Sequence, residues 1–328
     1  MPTYSIIVPV YDRPDEMQEL LDSLLTQTYT DFEVLVLEDA SPRPCDAVVQ
    51  RYADRLDVRY FYRPGLDRSQ RRNLGMEQAR SDIFLLFDSD CVLPSTYMDS
   101  VHRAYSKAPA DCFGGPDNAH PDFNRMQKAV NYSMTSFFTT GGIRGGKKPM
   151  ESFTPRSFNM GITRKAFDAT GGFRSMIGED IDFSLRVRKA GLKTALYREA
   201  YVYHKRRVDL KKFYRQIRTF GKSRIVLSKT NPGSLKPVHL FPLLFVLGHI
   251  ALIFAGIFVH SVFLFPIFAY ILLLCTDAWL QNRSLHVGLL SVLTSYTQLT
   301  AYAIGFLNEA FTAKAYKAIG KQETIYHP

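Results

Sequence analysis

The fold is decided first by Ser5-Ile6-Ile7-Val8-Pro9-Val10, a short and largely apolar run that predicts a buried strand. Pro14-Asp15-Glu16 then predicts the start of a helix, since proline and acidic residues favour the first helical turn. The apolar residues of this helix recur on one face: Met17, Leu20, Leu21, Leu24 and Leu25. The chain therefore begins with a strand that leads into an amphipathic helix.

The same alternation continues along the chain. Strands are predicted at Glu33–Leu37, Val58–Tyr62 and Ile83–Phe87, with a helix at Arg68–Arg80. Repeated β-α-β units imply an α/β fold with a mostly parallel sheet. Ligands bind such sheets beyond the carboxyl ends of the strands, so we expect the polar residues after strands one, two and four to converge on one crevice.

Two carboxylates follow the fourth strand, in Asp88-Ser89-Asp90. Because they come just after the end of a buried strand, these two carboxylates can bind Mg²⁺ or Mn²⁺ through their oxygens. The cation would then neutralise the negative charge of a diphosphate. The pair alone is a weak signal, because this spacing also occurs by chance. Asp39, after the second strand, has an ordinary interpretation as a helix cap or turn residue. The sequence has neither a GxxxxGK[ST] loop nor a GxGxxG after the first strand, so phosphate binding would depend on metal and arginine.

The 328-residue chain carries a net charge of +10, and the excess is local. Residues 204–236 contain 11 Lys and Arg with one acid, Asp209, and the remainder has 30 basic and 30 acidic residues. A nucleic-acid-binding protein would carry its basic residues on a folded face rather than in one short stretch. We therefore expect no nucleic-acid partner. The 4 cysteines are far apart without a CxxC pair, which fits a reducing compartment rather than a zinc or disulfide framework.

An apolar region follows this basic stretch. The 40 residues between Lys236 and Asp277 contain no charged side chain, and as one helix they would be about 60 Å long, roughly twice the hydrocarbon thickness. We therefore expect a turn at His260-Ser261 between two limbs, Leu240–Val259 and Val262–Thr276. The second limb is short for a full span, so a re-entrant hairpin stays open.

A third uncharged run, Ser284–Asn308, is also long enough to cross a membrane, and its Ser and Thr residues predict packing against neighbouring helices. The predicted transmembrane region, 237–310, thus holds two or three helices. The alternative is a set of buried helices in a soluble protein.

The basic segment 204–236 predicts the orientation, because Lys and Arg beside a span stay on the cytoplasmic side. We expect a multi-pass protein of the cytoplasmic (inner) membrane with its N-terminal domain in the cytoplasm. Apolar residues recur at helical spacing between the basic ones: Leu210, Phe213, Tyr214, Ile217 and Phe220. This pattern is typical of an interfacial helix on an anionic lipid bilayer, and an ordinary amphipathic helix is the alternative. Three spans would place the lysines of the tail, 311–328, outside, against the positive-inside rule.

The order of these segments resembles a family 2 glycosyltransferase with the GT-A fold. Each segment is weak alone, and their common order from Ser5 to about Phe220 is specific. They are Ser5–Val10 with Tyr11-Asp12-Arg13, Glu33–Leu37 with Glu38-Asp39-Ala40-Ser41, Arg72-Asn73-Leu74-Gly75, Asp88-Ser89-Asp90, Asn159-Met160-Gly161-Ile162, Gly171-Gly172-Phe173, and Gly178-Glu179-Asp180-Ile181-Asp182 leading to Arg186. The resemblance implies a GT-A domain over 1–203 and an inverting transfer of a sugar from a nucleotide-sugar donor of UDP or GDP type.

The resemblance also implies a donor site and a metal site. Residues expected to bind the donor are Pro9, Val10, Tyr11, Asp39, Arg72 and Asp88. Among them Asp39 would hold the nucleoside, and Arg72 would lie beside the diphosphate. Mn²⁺ or Mg²⁺ would be bound by Asp90, Asp88 and His204.

Glu179-Asp180 supplies the expected catalytic pair, with Asp180 at the family's catalytic-base position. Inversion by direct displacement needs one base beside the acceptor hydroxyl. A departing diphosphate that is stabilised by metal and arginine needs no acid. A helix start is the ordinary interpretation of these two acids, and it is compatible with the catalytic one.

Some features depart from the family's pattern. Arg71 stands where a small residue is frequent, and Cys91 where a third Asp is common. The Gln-x-x-Arg-Trp motif of processive synthases is missing, which disfavours a channel-forming synthase. We therefore expect one sugar to be added to a lipid-linked or membrane-proximal acceptor, in surface glycan or glycolipid assembly. A catalytic domain followed by spans resembles bacterial arrangements.

Two alternatives stay open. One is a polyprenyl-phosphate glycosyltransferase similar to dolichyl-phosphate-mannose synthase, whose phosphate acceptor is already ionised and needs no base. The other is an inactive membrane scaffold that keeps the GT-A fold.

Overall fold

The computed structural model describes residues 1–118, 120, 122–141 and 153–312. These form two compact units. The first takes in Met1–His120 and Phe153–Lys205, and the second Pro121–Ser152 and Arg206–Ile319, each within the described residues. The sequence assigned residues 122–141 to the N-terminal domain, whereas the structure groups them with the C-terminal helices. The tail beyond residue 312 lies outside the described part.

The strands of the first unit form a large and a small sheet. In chain order the strands β1 to β10 are Tyr4–Val10, Phe32–Glu38, Val58–Tyr62, Ile83–Phe87, Cys91–Val92, Cys112–Gly114, Asp117–Asn118, Asn159–Thr163, Thr194–Leu196 and Val202–His204. The large sheet has the order β3-β2-β1-β4-β8-β6-β9. Strands β1 to β4 are parallel, β8 is antiparallel to both β4 and β6, and β9 is parallel to β6. The predicted mostly parallel α/β sheet is confirmed.

The described residues contain the helices predicted from Pro14 and from Arg68, together with helices that the sequence analysis did not predict. In chain order α1 to α12 are Pro14–Leu25, Asp46–Gln50, Arg68–Gln78, Tyr97–Lys107, Arg125–Thr135, Phe137–Thr140, Arg164–Thr170, Glu179–Lys189, Leu210–Thr230, Phe241–Phe258, Phe265–Asn282 and Leu285–Phe311. Helix α3 begins after Asp67, whose side chain accepts from the backbone N–H of Gln70, and the Gln70 side chain accepts from the backbone N–H of Asp67. This reciprocal capping fixes where α3 starts at the sheet edge.

Strand β1 is buried along its whole length because both faces of the sheet are covered. Successive side chains of a strand point to opposite faces. Ile6 and Val8 accordingly pack with Met17 and Leu20 of α1, and Ile7 packs in a second cluster with Met76 of α3.

The small sheet is made by β5, β10 and β7, and it brings a distant part of the chain to the carboxyl end of β4. Strand β10 runs antiparallel to β5, with His204 opposite Cys91. The backbone N–H of Lys205 also donates to the carbonyl of Asp90. His204 is therefore held beside Asp90, although 114 positions separate them in the sequence.

In the second unit, helix α9 contains the amphipathic pattern of the basic segment and runs from Leu210 to Thr230. Its apolar face does not face lipid. Phe213 and Ile217 are buried in a cluster with Val130 and Met134 of α5 and Ala301 of α12. The prediction of an interfacial helix is therefore wrong for the apolar face, since protein rather than lipid covers it.

Two helical segments, Pro237–Phe258 and Ser261–Asn282, are long and apolar enough to cross a membrane, by length and composition alone. They are separated at His260-Ser261, as predicted. The second extends past Asp277, so it is longer than the sequence had indicated.

The predicted third span, α12, does not meet the same criterion within the described residues. Its Ser and Thr face is buried, as expected for helix packing, with Ser291, Thr294 and Ser295 shielded from solvent. Thr294 Oγ1 donates to the carbonyl of Ala129 in α5 at 3.0 Å. The structure therefore supports two candidate spans and a third helix that packs within its unit.

Candidate active site

The polar residues after β1, β2 and β4 lie at one edge of the sheet, as the topology predicted, because these strands are parallel neighbours. The amino ends of α3 and α8 supply further charged side chains, which ion-pair with groups at this edge. The site belongs wholly to the first unit.

Asp39 lies at the end of β2, next to the end of β1. Its Oδ1 accepts from the backbone N–H groups of Ala40 at 2.8 Å and Gly65 at 3.0 Å. Its Oδ2 lies 3.1 Å from Nη1 of Arg71. Burial lowers the pKa of Arg71, and Asp39 opposes that effect. Arg71, which departs from the family's pattern, is thus the counter-ion of the expected nucleoside-binding carboxylate.

Other expected donor residues lie along β1. Pro9 and Val10 are buried strand residues, and Val10 accepts from the backbone N–H of Asp39. Tyr11 follows the strand, and its side chain is exposed. These positions connect the ends of β1 and β2.

Arg72 is completely buried and joins two acids. Its Nη2 donates to Oδ1 of Asp88 at 2.8 Å, and its Nη1 donates to Oε1 of Glu179 at 2.9 Å. Arg68, one helical turn earlier, also donates to Oε1 of Glu179, at 2.7 Å. A buried charge needs such partners because desolvation without them is costly. Arg72 is therefore fixed at the sheet edge, beside the 26% exposed side chain of Asp88.

Asp90 is almost buried, with 7% of its side chain exposed. Arg13 Nη1 lies 2.5 Å from its Oδ2, and His204 Nε2 lies 3.2 Å from its Oδ1. Burial acts to raise the pKa of Asp90, but the hydrogen bonds and charges of His204 and Arg13 hold it well below its usual range. Asp90 is therefore a carboxylate anion at neutral pH.

Asp90, Cys91 and His204 bring ligand atoms within 4.8 Å of one another. His204 Nδ1 is a buried atom without a hydrogen-bond partner in the described part of the chain, and the ring stacks on Phe158. Burial raises the pKa of Cys91 well above its usual value, so the thiol stays protonated, and it donates to the carbonyl of Phe158. Carboxylate and imidazole suit Mn²⁺, whereas a protonated thiol does not bind it.

The residues thus fit a divalent cation at Asp90 and His204. The third expected ligand, Asp88, is not in this group, and its Oδ1 accepts from Arg72 instead.

Glu179 and Asp180 open α8 and have different surroundings. Glu179 is 6% exposed, and its Oε1 accepts from the guanidinium groups of Arg68 and Arg72. Asp180 is 17% exposed, with Arg156 Nη1 3.8 Å from its Oδ2. Its Oδ1 accepts from the backbone N–H of Ile181. Of the two acids named from the sequence, Asp180 is the more exposed.

Three basic residues of this site were not singled out from the sequence: Arg13, Arg68 and Arg156. Arg13 was part of a quoted motif without a role, and its partner Asp90 lies 77 positions away. Arg68 had a local signal, because it precedes Arg72 by one helical turn on the same face. Arg156 had none.

Comparison with known proteins gives a family match for the first half of the chain. Residues 5–167 match the family described as glycosyl transferase family 2. Validoxylamine A glucosyltransferase of Streptomyces hygroscopicus subsp. jinggangensis is 26% identical over 231 residues, covering 61% of this chain and 55% of that protein. The O-antigen biosynthesis protein RfbC of Myxococcus xanthus is 26% identical over 220 residues, covering 62% of this chain and 17% of that protein. The chain thus spans about half the length of the first of these curated relatives and less of the second.

A solved structure supports the same fold. Mannosyltransferase PcManGT from Pyrobaculum calidifontis, in complex with GDP-Man and Mn²⁺, is similar over 95% of this chain and 88% of that one, with a TM-score of 0.64 and 16% sequence identity. The fold and the family match together show a glycosyltransferase domain with a GT-A-like fold. More narrowly, residues 5–167 form a glycosyl transferase family 2 domain.

Proposed function

We propose that the protein transfers one sugar, with inversion and with a divalent cation, from a nucleoside-diphosphate sugar to a lipid-linked or membrane-proximal acceptor. The observation that carries this proposal is the pair formed by Asp90 Oδ1 and His204 Nε2, 3.2 Å apart at the carboxyl edge of the sheet. A scaffold protein has no need to bury this carboxylate beside an imidazole that could share a cation with it.

The donor would lie along the ends of β1, β2 and β4. Asp39 would hold the nucleoside, and Arg72 and Asp88 would face the diphosphate and the adjoining sugar. Mn²⁺ or Mg²⁺, bound by Asp90 and His204, would supply positive charge to the diphosphate. Arg72 is buried between Asp88 and Glu179, so its charge is already oriented before the donor binds.

Asp180 would act as the base. The acceptor oxygen attacks the anomeric carbon, its proton passes to the Asp180 carboxylate, and the bond from that carbon to the diphosphate oxygen breaks. The electron pair of the broken bond leaves with the nucleoside diphosphate. Arg156 Nη1 lies 3.8 Å from Asp180 Oδ2, so a positive charge faces this carboxylate.

The membrane part of the proposal depends on α10 and α11, both largely exposed and apolar. Two spans would return the chain to the side on which it entered, which removes the conflict with the positive-inside rule. Lys211, Lys212 and Arg215 of α9 are exposed and suit an anionic bilayer surface on the cytoplasmic side of the inner membrane. A membrane anchor also raises the effective concentration of a lipid-linked acceptor.

Calorimetric titration of the detergent-purified full chain with UDP, GDP and CDP, with and without Mn²⁺, tests this proposal. We expect one nucleotide to bind in a metal-dependent way, and Asp90→Ala to abolish the metal dependence. Asp82→Ala is the matched control, since its carboxylate is exposed and ion-pairs with Arg164 outside the site. Lack of binding by all three nucleotides would contradict the proposal and favour a scaffold.

A further inference from the structure

Arg13 and a divalent cation compete for one carboxylate. Arg13 Nη1 lies 2.5 Å from Oδ2 of Asp90, whose other oxygen faces His204. A cation bound by Asp90 and His204 would place two further positive charges beside this guanidinium, in a nearly buried environment where charges interact strongly. Arg13 can stay there only if another anion arrives with the cation.

The backbone around Arg13 is fixed, which leaves the side chain as the part that can move. Its carbonyl accepts from the backbone N–H of Met17 in α1. The preceding residue, Asp12, lies in the left-handed region with φ of 51°, and its N–H donates to Ser41 Oγ. The Arg13 side chain is partly exposed, at 32%, so it is not enclosed by the fold.

A diphosphate is the anion that would replace Asp90 as the partner of Arg13, because guanidinium groups bind phosphate oxygens through paired hydrogen bonds. Arg71 and Arg72 are buried and already paired with Asp39, Asp88 and Glu179. Arg13 differs from both, because its partner Asp90 is the carboxylate that a cation would bind.

We propose that Arg13 couples cation binding to donor binding: it neutralises Asp90 when nucleotide is absent, and it turns to the donor diphosphate when the cation binds Asp90. This inference rests on the proposed function, and it makes Arg13 a positioning residue that acts through the cation site. The cation then binds weakly alone and tightly together with a nucleoside diphosphate. Coupling of this kind is reciprocal, so the nucleotide also gains affinity from the cation.

Mn²⁺ binding to the detergent-purified full chain, followed by electron paramagnetic resonance of free Mn²⁺, measures this coupling without any turnover. In the wild-type protein GDP or UDP should tighten Mn²⁺ binding at least about tenfold, within the usual range of coupling between sites. Arg13→Gln should bind Mn²⁺ alone about tenfold more tightly than wild type, and the added effect of nucleotide should fall below about threefold. Arg13→Lys keeps the charge and should behave like wild type without nucleotide.

Arg103→Gln is the matched control, since Arg103 is an exposed arginine on α4 that pairs with Asp99 and Glu199. It should leave all Mn²⁺ affinities unchanged. Equal Mn²⁺ affinity of Arg13→Gln and wild type without nucleotide, with binding still lost in Asp90→Asn, would overturn the role of Arg13 and leave the proposed function intact. Should Arg13→Gln fail to fold, equal wild-type Mn²⁺ affinity with and without nucleotide would overturn the coupling. Failure of wild type to bind Mn²⁺ under any of these conditions would overturn the proposed metal site as well.

Discussion

Arg72 and Glu179 form a buried ion pair, Nη1 to Oε1 at 2.9 Å, between a helix near the N-terminus and a helix 107 residues later. The guanidinium has no exposed surface, and Arg68 binds the same Glu179 oxygen. This pair holds the first helical turn of α8, where Asp180 lies, against the arginine that is expected to face the donor diphosphate. The relation explains why two adjacent acids in α8 have different surroundings.

Glu179→Gln should lower the stability of the protein by about 1–3 kcal/mol, because a buried arginine loses one charged partner while the amide keeps a hydrogen-bond acceptor. Affinity for the nucleoside diphosphate should fall severalfold, since Arg72 is then less firmly oriented. Thermal unfolding and nucleotide titration measure the two effects. Glu77→Gln, an exposed change on α3, is the control and should be neutral. Unchanged stability and nucleotide affinity together with lost transfer would show instead that Glu179 is the base.

Asp180→Asn should reduce the rate of sugar transfer by roughly 10²-fold or more and leave donor binding unchanged, because an amide cannot accept the acceptor's proton. The measurement is single-turnover transfer at saturating donor, compared with nucleotide titration of the same variant. Asp168→Asn, an exposed change on α7, should retain the wild-type rate. A rate largely retained in Asp180→Asn would identify an acceptor that is already ionised, such as a polyprenyl phosphate.

Helix packing in the second unit depends on two glycines. A Cβ at Gly221 of α9 would lie 2.1 Å from the carbonyl oxygen of Tyr302, and a Cβ at Gly305 of α12 would lie 2.0 Å from that of Arg218. Because backbone rather than a flexible side chain is in the way, Gly221→Ala and Gly305→Ala should each destabilise the protein by about 1–3 kcal/mol. Gly248→Ala in α10 meets nothing within 4 Å and should be neutral or slightly stabilising.

Thermal unfolding in detergent compares these three variants. Equal melting temperatures for Gly221→Ala and Gly248→Ala would mean that α9 and α12 separate easily, against the close approach of their backbones.

The lowered pKa of Glu33 implies that the stability of the folded protein depends on pH. Its buried carboxylate accepts from Ser5 Oγ at 2.6 Å, Arg59 at 2.7 Å and Arg80 at 2.9 Å. Burial acts to raise the pKa of Glu33, but these hydrogen bonds outweigh it and lower the pKa. A lowered folded pKa adds stability that is fully present above the unfolded pKa of about 4.3, and this stability is lost as the pH falls through the folded value.

The melting temperature of Glu33→Gln should therefore lie below that of wild type at pH 7, and the difference should shrink as the pH falls from about 4.5 toward 3. Glu77→Gln should show no such trend. A constant difference between Glu33→Gln and wild type over this range would mean that the carboxylate's charge is not what stabilises the fold.

The amino-acid sequence by itself determined the first four strands, their helices and the edge where Asp39, Asp88 and Asp90 meet. Strand and helix periods are local, and parallel β-α-β topology sends every carboxyl end to the same edge. The sequence also determined the turn at His260-Ser261 and the two apolar segments around it, because uninterrupted length and apolar composition are read directly from the residues.

Only the tertiary structure decided which charged groups pair. Arg13 with Asp90, Arg71 with Asp39 and Arg72 with Glu179 join residues far apart in sequence, and each pairing depends on where a helix end meets the sheet. The same holds for α9, whose amphipathic pattern fits lipid and protein equally well. A pattern of apolar residues reports that a face is buried, but the partner that covers it is set by packing, and here α5 and α12 cover it.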